Sequence, residues 1–162
     1  MKLLIPLLLI FGDSQSLVKD LRKLYALVGT NEEHVNELLK LSNNSNSPTV
    51  LAYAAGAEMA SAQYKFSPVS KLTAFKSGKS KLEKIVDANR KNPEIRFIRY
   101  TIQLKCPSVL GYTKELKSDR AFLLTEMPFL RKNDPDLYKY ILSFLLLHDK
   151  LSEREREVFG LK

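Results

Sequence analysis

Arg96, Arg99, Tyr100 and Gln103 are the residues of this chain whose types and spacing best suit chemistry. At intervals of three and four they share one side of a helix, away from Ile95, Ile98 and Ile102. Two guanidiniums, a phenol and an amide on one face can grip a carboxylate or phosphate group. Tyr112 and Tyr53 are candidates to close such a pocket. The same residues also read as interhelical salt bridges and hydrogen bonds that fix packing, with Glu58 as partner. Buried polar groups in a helical array must be paired in any case, so the packing reading is the preferred one.

Other reactive residues are scattered. Glu58, Glu83 and Glu94 are the carboxylates nearest this face, but nothing in their spacing demands general acid–base work. His34 and His148 are too far apart in sequence to suggest a metal cluster. Cys106 is the single cysteine, so it cannot form an internal disulfide and reads as a small buried hydrophobe. Phosphate loops, zinc motifs and serine-hydrolase elbows are absent from the sequence. No catalytic residue, metal ligand or cofactor site is assigned.

The elements that must position these groups are helices. Leu17, Leu21, Leu24 and Leu27/Val28 repeat at helical spacing up to Gly29. Thr30 or Asn31 caps the next helix, with Glu32 and Glu33 in its first turn. Residues 42–47, all Ser and Asn, are a linker. Ser47-Pro48, Ser67-Pro68 and Asn92-Pro93 each read as a cap followed by a first helical residue. The helix over 48–65 is lined with Ala and Gly, which allows close packing on several sides. Gly78 interrupts the following helix for close packing or a bend. Cys106-Pro107 ends the helix that carries Arg96 and Arg99. Leu116, Phe122/Leu123, Met127 and Leu130 set a further helix, Asn133-Asp134-Pro135 starts another, and Ser152 with Glu155 forms a capping box. The expected fold is all-α, an array of about seven or eight helices in antiparallel pairs with short loops.

Residues 1–16 have the pattern of a secretory signal: Lys2, an apolar run over 3–11, a break at Gly12-Asp13, and small residues at Ser14 and Ser16. The run is too short to span a bilayer, which needs about 20 residues. The mature part, 17–162, is then a single all-α domain, exported to the periplasm or beyond. Its +8 charge survives loss of Lys2 and Asp13. A basic exported protein meets envelope polymers, lipid and other proteins rather than a genome, so nucleic acid is not an expected partner. Contact with a membrane surface fits the charge. Asn43-Asn44-Ser45 also matches a glycosylation sequon.

Gly78, Leu82 and Ile85 followed by Asn92-Pro93-Glu94 resemble the second helix of a tetratricopeptide repeat and its proline-started successor. The small-residue helix over 48–65 fits the first helix of that pair, giving one TPR-like unit of about 45 residues. Residues 47–112 also resemble a family of short, exported bacterial proteins that brings no known activity with it. The resemblance implies a helical array that presents a surface to a protein partner. Three functions follow in order of preference. One is a non-catalytic protein-binding or scaffold module. The second is a small-anion binder or enzyme at the Arg96/Arg99 face. The third is a basic binder of anionic polymers or lipid through the lysines of 71–84.

Overall fold

The structure is a computed structural model that describes residues 10–161, with side chains from Gln15. Residues 1–9 of the expected signal segment lie outside the described residues. Eight α-helices and no strand occur among those described: α1 Ile10–Leu27, α2 Glu32–Ser42, α3 Pro48–Ser61, α4 Pro68–Ala88, α5 Pro93–Lys105, α6 Leu116–Asn133, α7 Pro135–His148 and α8 Glu153–Val158. Helix accounts for 79% of the structure, packed as successive hairpins. The chain forms two compact units, Met1–Ile85 and Val86–Lys162.

In the N-terminal unit α1 packs on α2 and α3, and α2 packs on α3. Leu21, Val35, Leu38 and Val50 are fully buried or nearly so. Asn31 caps α2, its side-chain oxygen accepting from the Glu33 amide at 2.8 Å. The linker after α2 is turned by Asn44, at φ 67°; Asn tolerates this left-handed region better than most residues. The α3 helix stops at Ser61, short of the expected Lys65, and tightens into a 3₁₀ turn over Ala62–Tyr64. Smooth side chains do bring α3 and α4 close. A Cβ on Gly78 would come within 2.7 Å of the Ala55 carbonyl oxygen and 2.9 Å of the Met59 amide nitrogen.

In the C-terminal unit α5 packs on α6 and α6 on α7. Phe97, Tyr100, Leu123, Met127, Ile141 and Leu145 form the centre of its core. Asn92 caps α5 through its side-chain oxygen, accepting from the amides of Glu94 (3.0 Å) and Ile95 (3.1 Å). Asp134 caps α7 at the Leu137 amide, 3.0 Å. Pro128 lies inside α6, and the Phe129 side chain beside it is exposed. The Tyr138 hydroxyl donates to the Phe159 carbonyl at 3.2 Å and ties the chain's end to α7.

Candidate functional site: the arginine face of the fifth helix

The cap at Asn92 and Pro93 set the start of α5, and that start fixes where Arg96 and Arg99 project. Both meet one carboxylate, Asp119 of α6, which is completely buried. Arg99 grips it with two bonds, Nε to Oδ2 at 2.7 Å and Nη2 to Oδ1 at 2.8 Å. Arg96 Nε donates to Oδ1 at 2.7 Å, and its guanidinium lies 4.2 Å from the centre of the Phe122 ring. One buried carboxylate thus accepts three charge-assisted bonds from two arginines. This is the strong, planar geometry that the guanidinium fork favours.

The partner is therefore not the expected Glu58. That residue belongs to the N-terminal unit, where it accepts from Ser77 Oγ and Lys81 Nζ, each at 2.7 Å. Asp119 has a sequence signal of its own. It stands three residues after Leu116 and four before Leu123, inside the stripe of α6 that goes on to Met127 and Leu130. An acid in a core stripe calls for a charged or hydrogen-bonding partner beside it.

The other residues of the face are also placed. Tyr100 is buried, and that burial, followed by the Asp149 carboxylate, pushes its hydroxyl well above the ordinary value, against an opposing effect of Arg120. Gln103 is 2% exposed, and its side-chain oxygen has no hydrogen-bond partner. Tyr112 is buried. Tyr53 lies in the N-terminal unit, edge-on to Tyr25 with ring centres 5.2 Å apart.

A second ionic cluster has no counterpart among the sequence motifs. Arg120 follows Asp119 and reaches the other way, to Asp149 at 2.7 Å, Glu155 at 2.9 and 3.2 Å, and the Lys150 carbonyl at 3.2 Å. Its bonds to Glu155 hold the guanidinium even more firmly protonated than usual, against the effect of burial. The same Arg120 bonds, with the Ser152 amide, lower Glu155 to about 2. Glu155 is also the capping-box residue of α8, accepting from the Ser152 amide at 2.7 Å while Ser152 Oγ accepts from the Glu155 amide at 3.3 Å. The predicted box is therefore one half of a clip that fastens α8 to α6.

Cys106, His34 and His148 each have local partners. Cys106 is half-buried, with Sγ 3.6 Å from the Pro107 carbonyl. His34 Nδ1 is 3.3 Å from Thr30 Oγ1. His148 packs on Phe144, and desolvation, then Lys105, lowers its pKa. Among the described residues no group of three or more His, Cys, Asp or Glu side chains is placed to hold a metal ion. No described helix is long and apolar enough to cross a membrane.

These features define a class: an all-α domain of helix hairpins in a generic helical-repeat arrangement, laced with salt bridges. No family model, curated protein or solved structure matches the chain.

Proposed function

We propose that this chain is an exported, non-catalytic helical module that binds another protein. The observation that carries the reading is the closure of the Arg96/Arg99 cluster on Asp119. The donors best suited to a small anion already bond a carboxylate of the chain itself, so recognition falls to the outer surface of the helices. The TPR-like reading of 48–93 is supported by the close approach of α3 and α4 at Gly78. Export rests on the signal pattern of residues 1–16, with the periplasm or the cell exterior as destination.

The test is capture of the tagged full chain from its native cell, with an Arg96→Met/Arg99→Met/Asp119→Leu variant alongside, which removes the face without leaving a buried charge. The reading expects one defined protein, retained by both forms and re-forming the complex from purified components. Loss of every protein partner, with a small anion co-purifying with the unaltered chain alone, would contradict it.

A further inference from the structure

Between residues 59 and 82 the chain carries Lys65, Lys71, Lys76, Lys79 and Lys81, and no Asp or Glu. The same stretch holds Phe66, whose exposure of 104% is the largest among the exposed apolar side chains described. Val69 at 76% and Leu72 at 41% follow at three-residue steps. From its start at Pro68, α4 puts Val69, Leu72, Thr73 and Lys76 on one side. Lys71, Thr73 and Lys76 are exposed as well.

This corner is held in shape. The Tyr64 hydroxyl and the Gln63 amide both donate to the Val28 carbonyl, at 2.8 and 3.1 Å. Ser67 Oγ accepts from the Ser70 amide at 3.1 Å, and the Ser67 amide donates to Ser70 Oγ at 3.2 Å. Phe66 is therefore displayed between two anchored points, and little ordering remains to be done on binding. Lone exposed apolar residues are common on protein surfaces. Phe129 is of that kind, with charges of both signs near it in sequence, Glu126 and Arg131.

A partner for the corner must accept protruding apolar groups and be negatively charged around them. A protein would need a fitted pocket with an acidic rim. A fluid bilayer with anionic headgroups supplies both properties without a fitted shape. Lys65 and Lys81 have carboxylates near them, Glu32 at 3.9 Å and Glu58 at 2.7 Å, and Lys79 is half-buried, so the exposed Lys71 and Lys76 are the main headgroup contacts. We propose that the Phe66–Val69–Leu72 corner docks the protein on an anionic lipid surface, with Phe66 and Val69 entering the acyl boundary, Lys76 meeting headgroup phosphates on the same side of α4 and Lys71 reaching them from the adjoining side of its first turn.

The chain has no tryptophan, so Phe66→Trp in the full chain supplies a single indole reporter. It is mixed with phosphatidylcholine vesicles, with and without phosphatidylglycerol. Its emission should move to shorter wavelength only with the anionic vesicles. The shift should fall away in about 0.5 M salt, where the Debye length is roughly 4 Å. Lys71→Gln/Lys76→Gln in the same background should weaken vesicle binding by about thirtyfold. Phe129→Trp should show no shift under the same conditions. Vesicle binding with an unchanged indole at 66 would assign attachment to another segment, such as the apolar run over 3–11, and overturn the proposal. So would an equal shift at 129, no response to anionic vesicles, or an indole at 66 that ignores vesicles and responds to a purified protein.

Discussion

Asp119 is held by Arg99 through two parallel bonds, Nε to Oδ2 at 2.7 Å and Nη2 to Oδ1 at 2.8 Å, across the packing of α5 on α6. Removing two charges from water is costly, and their attraction offsets that cost only in good geometry. Such a pair fixes how two helices meet more surely than it adds stability. Arg96→Met and Arg99→Met with Asp119→Leu, which replace the whole ionic group, should therefore fold to within about 1–2 kcal/mol of the unaltered protein by urea titration. A loss as large as that of the worst single variant would show that the charges themselves provide the stability.

Glu155 gives the chain a pH dependence with a definite sign. Its carboxyl falls from an ordinary 4.5 to about 2, chiefly through Arg120 and then through the Ser152 amide. The folded state thus holds this proton more weakly than the unfolded state. The resulting stability is fully present above about pH 4.5 and is lost as pH falls toward 2, and it is on the order of 1–2 kcal/mol after screening of this partly exposed pair. Melting curves between pH 7 and pH 3 should show Glu155→Gln losing less on acidification than the unaltered chain. Parallel pH profiles would rule out the clip.

Gly78→Ala should destabilise the protein although Ala is the better helix former by about 1 kcal/mol. The added Cβ would meet backbone of α3 at 2.7 and 2.9 Å, and overpacking of this kind costs about 1–3 kcal/mol. A Cβ at Gly29 would meet nothing within 4 Å, so Gly29→Ala should leave the melting temperature nearly unchanged. Equal melting temperatures for the two variants would remove the case for close approach at Gly78.

Gln103 carries a buried side-chain oxygen with no partner. An unsatisfied buried polar group costs about 1–3 kcal/mol, so Gln103→Met, of similar length, should be at least as stable as the unaltered chain. A clear drop in melting temperature would reveal that the amide makes a bond on which the fold depends.

Local signals in the sequence were legible because they depend on neighbours in the chain. The caps at Asn31, Asn92 and Asp134 and the box at Ser152 all act within three residues, and each falls where its residue types predict. The boundary of α3 was less legible, since its Ala-rich sequence carries no stop before Pro68 and the shift to a 3₁₀ turn follows from tertiary bonds of Gln63 and Tyr64 to Val28. The ionic clusters were least legible. Asp119 lies twenty residues from Arg99, and Glu155 lies thirty-five from Arg120. Which acid meets which arginine depends on the packing of α5, α6 and α8, and no short-range rule encodes it. Glu58 was the expected partner by charge alone, and it is engaged elsewhere by Ser77 and Lys81.

Asp119 closes the Arg96/Arg99 face and makes it a clamp rather than a ligand site. The most direct measurement is thermal melting of the unaltered chain and of Asp119→Ala, each with and without millimolar inorganic phosphate. The unaltered chain should melt at the same temperature in both conditions. Asp119→Ala should lose about 3–5 kcal/mol, because it removes the buried carboxylate that both arginines bond, and phosphate should recover part of that loss. An Asp119→Ala protein as stable as the unaltered one, or an unaltered chain stabilised by phosphate, would contradict the clamp.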